Sequence, residues 1–229
     1  MPRHILFDID GTLVDTVDLH AEAWRVIFER HGKSVPFEAI RGQIGKGGDK
    51  LLPVFWSEEE LDRFGEAMEE ERSELFLKEY LPRAKAFPKV RELFERLISD
   101  GKTVVLASSA KDEELKRLKE IAGVADLIDE ETSSDDADES KPEPDIFKAA
   151  LERVGDPDPG DAVVVGDTPY DAEAAAKAGL RTVGVLCGGW PESKLRDAGC
   201  VAVYRDPADL LANYERSPLA NYERSPLAG

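Results

Sequence analysis

The sequence predicts an α/β fold, a doubly wound parallel sheet with an inserted helical domain, on three observations. Short continuous apolar runs recur along the chain, helix-period stripes fall between them, and one long early stretch carries helical patterns alone. Continuous rather than alternating apolar runs are what strands buried on both faces require. Five such runs read as strands: His4–Phe7, Thr103–Leu106, Ala162–Val165, Arg181–Val185 and Val201–Tyr204. A sixth, weaker run is Ala125–Ile128.

The helices between them have readable stripes and stops. Val90, Leu93, Phe94, Leu97 and Ile98 share a face before Gly101, and Leu115, Leu118, Ile121 and Ala122 share one before Gly123. Ile146, Phe147, Ala150, Leu151 and Val154 repeat likewise before Gly155, and the Ala-rich segment Asp171–Ala178 meets Gly179. Glycine after the last periodic residue is the usual helix stop. Strand–helix alternation from residue 88 onward gives the parallel sheet.

Residues 16–85 break that rhythm. Leu19, Ala23, Trp24 and Ile27 share a helix face, and Ser57 with Glu60 forms an S-x-x-E capping box opening a long helix that Pro82 ends. The chain therefore divides into core (1–15), helical cap (16–85), core again (86–210) and a tail (211–229), the cap entering through Val14–Thr16 and leaving through Arg83–Pro88. The tail repeats Leu211-Ala-Asn-Tyr-Glu-Arg-Ser-Pro218 at once as Leu219–Pro226. Two units are too few for a solenoid, so the repeat reads as a duplication or artefact, poorly ordered, with its second copy frayed.

Composition narrows the function classes. The 229 residues include 30 Lys and Arg against 48 Asp and Glu, a formal charge of −18, and 41% hydrophobic residues. That apolar share supports a packed core. The acidic balance, with no basic stripe, argues against nucleic acid. Acidic runs such as Asp129–Glu139 and Glu58–Glu74 read as solvated faces. No apolar run spans a bilayer, and the short acidic N-terminus is no signal peptide. Cys187 and Cys200 form no CxxC and no disulfide framework, which fits a cytoplasmic protein.

Four segments carry the chemistry, each where a parallel strand ends: Phe7-Asp-Ile-Asp-Gly-Thr-Leu-Val-Asp-Thr16, Leu106-Ala-Ser-Ser109, Ser140-Lys-Pro-Glu-Pro-Asp145 and Val165-Gly-Asp-Thr-Pro-Tyr-Asp171. Ligands of open α/β sheets bind beyond those ends, so the four should converge. Converging carboxylates repel, and a hard divalent cation resolves the repulsion; oxygen ligands favour Mg2+. With the ammonium of Lys141 and the hydroxyl of Ser108, this is an inventory for phosphoryl transfer. A carboxylate serves as nucleophile, and Asp10, two residues beyond Asp8, can protonate the leaving oxygen and then activate water. Phosphate monoester hydrolysis needs up to ~10²¹-fold acceleration, so several cooperating groups are expected.

Taken in order, the four segments resemble the four motifs of the haloacid dehalogenase-like hydrolase superfamily, in the branch with a helical cap between the first two. The resemblance runs from Phe7 to about Trp190. It implies a Rossmann-like core, with Asp8 as nucleophile and metal ligand, and Asp10 as acid/base and metal ligand through its carbonyl. It further implies that Ser108 and Lys141 bind the phosphoryl group, Asp167 ligates the metal and Asp171 supports the metal shell. Ser108 directly follows the strand; Ser109 either donates its backbone N–H to phosphate or caps the next helix.

The cap offers fewer certainties. Gly42, Gly45, Gly47 and Gly48 around Lys46 match neither GxxxxGK[ST] nor GxGxxG, and no strand precedes them. In the cap arrangement this loop, with Arg41 and Lys46, either faces the site and binds the non-phosphoryl part of a substrate or is a plain solvated turn. His20 either reaches the site entrance or closes the edge of the cap's core.

The dehalogenase and phosphonate-cleaving branches lack an aspartate at the position of Asp10, which favours phosphoryl transfer. The expected activity is a magnesium-dependent phosphatase acting on a small phosphorylated metabolite, similar to phosphoglycolate or sugar-phosphate phosphatases. The alternative is a mutase similar to β-phosphoglucomutase, which shares all core residues and differs in the phosphoryl acceptor. A receiver-like phospho-acceptor module is the third reading, opposed by Asp10 and the cap.

Overall fold

The computed structural model of the chain describes residues 2–128 and 130–220. The first strand, β1 (His4–Phe7), is followed by a short arm, β2 (Val14–Asp15). Four helices come next: α1 (Val17–Arg30), α2 (Phe37–Arg41), α3 (Gly48–Leu51) and α4 (Glu58–Leu75). The expected Ser57–Glu60 capping box closes on α4, but that helix gives way at Phe76 to a π-helical turn, Phe76–Tyr80, and a 3₁₀ turn holding Pro82. The chain returns along β3 (Lys85–Ala86), antiparallel to β2, with Val14 opposite Ala86 and Phe87 N–H donating to the Leu13 carbonyl at 2.9 Å.

Strands and helices then alternate: α5 (Val90–Ser99), β4 (Thr103–Ala107), α6 (Asp112–Ala122), β5 (Glu130–Thr132), α7 (Asp145–Arg153), β6 (Ala162–Gly166) and α8 (Pro169–Lys177). β7 (Arg181–Val185), α9 (Glu192–Asp197), β8 (Ala202–Tyr204) and α10 (Pro207–Ala212) complete the series. The six-stranded sheet has the order β5-β4-β1-β6-β7-β8, and every neighbouring pair is parallel. Register decides where the chemistry lies: Phe7 stands opposite Leu106 on one side and Val165 on the other. Asp8, Ser108 and Asp167 therefore leave the sheet at the same edge.

Successive residues of each strand point to opposite faces, so the sheet feeds two cores. Ile5, Phe7, Val104 and Leu106 pack with Leu93, Phe94 and Leu97 of α5, while Leu6, Val105 and Val164 pack with Phe147 and Ala150 of α7 and with Ala174 and Ala175 of α8. The cap has its own core of Trp24, Ile27, Phe28, Trp56 and Met68. Ala23 and Phe76 join the sheet's core instead and seat the cap on it.

Two expectations change. Ala125–Leu127 form a turn, and the edge strand is Glu130–Thr132. An edge strand has one partner and a wet side, so Glu130 and Glu131 fit it, with Lys119 pairing to Glu131. Leu127 and Ile128 pack against the core without joining the ladder. The first copy of the tail repeat is also ordered: α10 leads into Tyr214 and Ser217, both buried, and the first two residues of the second copy, Leu219 and Ala220, are buried as well. The fraying expected of the second copy otherwise concerns residues 221–229, outside those described. Among the described residues, no helix is long and apolar enough to cross a membrane.

Candidate active site

Below the sheet edge lies a buried pit built from three strand ends and the loop after β5. Asp8, just past β1, donates its backbone N–H to the Val165 carbonyl at 3.0 Å, which ties the loop to the neighbouring strand. Lys141 is buried, its Nζ 2.5 Å from Asp8 Oδ1 and 2.8 Å from Asp171 Oδ1. Thr12 Oγ1 sits between carboxylates, 3.3 Å from Asp8 Oδ2 and 3.2 Å from Asp167 Oδ1. Asp171 closes the capping box of α8: its Oδ2 accepts from Thr168 N at 3.0 Å and from Thr168 Oγ1 at 2.7 Å.

Three carboxylates thus face one ammonium. Carboxylate oxygens of Asp8, Asp167 and Asp171 lie within 4.8 Å of one another. Burial pushes the Asp8 carboxyl up to about 7, opposed by Lys141 and reinforced by Asp171 and Asp10. Burial, then the charges of Asp171 and Asp8, push Asp167 well above the carboxylate range. For Lys141, burial works against the charged form, but Asp171 and Asp8 outweigh it and raise its pKa.

One oxygen is left over. Asp167 Oδ2 is buried with no hydrogen-bond partner, and orphaning a charged oxygen costs about 1–3 kcal/mol or more. Glycines line its surroundings: a Cβ on Gly11 would stand 2.4 Å from that atom, and one on Gly188 only 1.6 Å. Gly11 also has φ +76°, where side chains are strained. An unpartnered carboxylate oxygen in a cradle kept open by glycine, among like charges, is a place for a cation. Asp8 and Asp167 fit the role of ligands, whereas Asp171, its oxygens taken by Thr168 and Lys141, backs them.

Above the pit runs a second set of charges, on the seam between cap and core. Asp10 Oδ1 accepts from Thr16 Oγ1 at 2.6 Å and lies 3.0 Å from His20 Nε2. The His20 ring stacks on Phe76 at 3.9 Å, and its Nε2 is 3.7 Å from Glu114 Oε1. Glu114, buried in the first turn of α6, is 3.3 Å from Arg72 Nη1 of α4. Burial would raise the Asp10 carboxyl, but His20 and Thr16 outweigh it and hold it below its usual value. Asp8 and Asp10 open into a cavity of about 220 Å³ between core and cap.

The model for haloacid dehalogenase-like hydrolases matches residues 2–179, which include every group of the pit. The chain belongs to this family. A phosphorylated carbohydrates phosphatase of Thermotoga maritima is 32% identical over 213 residues, covering 90% of this chain and 95% of its own. A phosphoglycolate phosphatase of Aquifex aeolicus is 32% identical over 191 residues, 81% of this chain and 85% of that one. The crystal structure of a hydrolase from Pseudomonas syringae has a TM-score of 0.85 at 27% identity, covering 93% of this chain and 98% of that chain. With these relatives, the protein is an enzyme among the family's phosphatases.

Within this haloacid dehalogenase-like hydrolase, the residues singled out from sequence separate into three groups. Asp8, Lys141, Asp167 and Asp171 meet in the pit, while Asp10 turns its carboxylate to His20 on the seam. Ser108 is buried, its Oγ accepting from Ala110 N at 3.1 Å, and of the two neighbours it is Ser109 that lines the cavity. Of the cap candidates, His20 and Lys46 line the cavity. Arg41 does not: it reaches away to Asp18 at 2.6 Å and to the Gly188 carbonyl at 3.0 Å, bracing the cap on the loop beside Asp167. Thr12, within the Gly11–Val14 stretch expected to flank the site, gains its contacts from the structure, as do Thr16, Glu69, Arg72, Glu114 and Gly188. Thr12 and Thr16 had a signal, lying inside the first motif; the others had none beyond helix or loop composition.

Proposed function

We propose that the protein is a magnesium-dependent phosphatase that hydrolyses a small phosphate monoester, of phosphoglycolate or sugar-phosphate type, through an aspartyl-phosphate on Asp8. The observation that carries this reading is the placement of Asp8 at the junction of pit and cavity, backed by Lys141 and flanked by Asp10. An Asp8 oxygen attacks phosphorus while the bond to the ester oxygen breaks. The leaving oxygen takes the proton held between Asp10 Oδ1 and His20 Nε2. The Asp10–His20 pair, now one proton short, takes that proton back from water, whose oxygen displaces Asp8 from phosphorus. Lys141 and the Ser109 backbone hold the phosphoryl oxygens, and the cap excludes bulk water. Asp8 and Asp167, with Asp171 behind them and the Asp10 carbonyl beside them, would hold Mg2+, which when bound supplies positive charge to the pit and to the phosphoryl oxygens.

The test is phosphate release from a panel of esters with and without Mg2+, repeated with Asp8→Asn and Asp10→Asn. Magnesium-dependent release is expected, with losses of at least about 10³-fold for Asp8→Asn and about 10²- to 10⁴-fold for Asp10→Asn. Full activity in Asp10→Asn would sink the mechanism. The polar cap wall of the cavity favours one alternative, a mutase-like transfer to a second sugar hydroxyl; isomer conversion without net phosphate release is its signature.

A further inference from the structure

The cap end of the cavity carries charges that the phosphoryl chemistry does not use, and four of the seven already have a partner. Lys46 Nζ donates to Gln43 Oε1 at 2.7 Å and lies over the Tyr170 ring. Asp49 takes the backbone N–H of Ser140 on one oxygen and its hydroxyl on the other. Arg72 and Glu114 face each other. Lys111 and Asp138 stand exposed at the rim. Glu69, half-buried on α4, has no hydrogen bond or ion pair among the described residues, and burial pushes its carboxyl above the usual range.

It lies against the glycine-rich loop. A Cβ on Gly48 would stand 2.3 Å from Glu69 Oε1, so with glycine at 48 the loop backbone passes close over the carboxylate, and a side chain there would push the carboxylate aside. Gly48 lies at the start of α3 and its φ is not in the left-handed region, so conformational freedom is not what glycine supplies there.

We propose that Glu69 selects the leaving group, accepting hydrogen bonds from hydroxyls of an uncharged, polyol-like ester and repelling an ester whose far end is a carboxylate. The inference rests on the phosphatase reading and deepens it. An unpaired carboxylate on a half-enclosed wall is satisfied by hydroxyl donors, whereas a second carboxylate near it gains no partner and adds like charge.

Two esters of nearly equal size isolate the effect: 2-hydroxyethyl phosphate and 2-phosphoglycolate differ in CH2OH against COO⁻. The wild-type protein should prefer the hydroxyl ester by about tenfold in kcat/KM. Glu69→Gln should shrink that ratio at least about fivefold, chiefly by a gain on phosphoglycolate. Gly48→Ala, which leaves the carboxylate in the chain but drives it aside, should shift the ratio the same way. Both esters turning over with a ratio unmoved by Glu69→Gln, or a wild-type preference for phosphoglycolate, overturns the inference and leaves the phosphatase reading standing. No release from any ester overturns that reading instead. Thermal-shift affinities for the same two esters then decide the selectivity: it stands if the hydroxyl ester binds more tightly and Glu69→Gln erases the difference, and falls otherwise.

Discussion

The pit and the seam are both groups of buried charge within one site, and they are balanced in opposite ways. In the pit, Asp8, Asp167 and Asp171 face a single ammonium, one carboxylate oxygen has no donor, and Asp8 and Asp167 are pushed up. On the seam, the two core carboxylates Asp10 and Glu114 each meet a cap partner, His20 and Arg72, and Asp10 is pushed down. The pit carries more negative charge than its one ammonium balances, which a cation from outside the chain would offset; the seam pairs its charges within the chain, across the contact between cap and core. Buried like charges signal a missing ligand, and buried opposite charges signal a docking contact.

The largest effect should come from emptying the pit. Asp167→Asn should cut phosphate release by about 10³-fold or more. The same change removes one of the repelling charges, so the metal-free variant should melt no lower than the metal-free parent and should lose the rise in Tm that Mg2+ gives the parent. A variant that melts far below the parent without metal would show that Asp167 is held by something other than a cation.

The seam should respond less. His20→Ala removes the partner of Asp10 without touching the pit, and kcat should fall about 10- to 100-fold while the Mg2+-dependent rise in Tm is kept. Loss of that rise would mean that pit and seam are one network.

The smallest effect is on pH-dependent stability. A carboxyl whose folded pKa lies above its unfolded value binds more protons when folded, so its contribution falls as pH climbs between the two. For Asp8 that window runs from about 4 to about 7. In chelator, the Tm of the parent should drop from pH 5 to pH 8 by about 3 °C more than that of Asp8→Asn, and Mg2+ should remove the difference. Equal slopes in the two proteins would deny that Asp8 carries strain.

The pit was legible in the sequence because Asp8 and Asp167 directly follow strands, and strand ends are placed by the parallel sheet. Lys141, nine residues past β5, and Asp171, in the first turn of α8, were legible through the motifs that carry the family resemblance. The seam was not legible. Glu114 stands in Asp112-Glu-Glu-Leu115, where an acidic first turn is ordinary dipole complement, and nothing local says that it is buried. Arg72 and Glu69 lie on a helix with a long acidic run, and only tertiary contact separates a solvated charge from a paired one. Arg41 stays open between two readings in the sequence for the same reason: a loop cation near a site looks the same whether it points to a substrate or to a main-chain carbonyl. Edge strand β5 escaped because its pattern is polar, as one-sided pairing allows.

The two-stranded arm of β2 and β3 has a thermodynamic corollary. It clasps both ends of the helical insertion side by side, with Val14 opposite Ala86 and Asp15 opposite Lys85. To the core, the insertion is then a closed loop, and the entropy of closing a loop grows only logarithmically, about 0.6 kcal/mol for each doubling in length. Lengthening or exchanging whatever hangs from the clasp therefore burdens the sheet very little, provided that the hanging part folds on a core of its own, as Trp24, Phe28, Trp56 and Met68 let this one do.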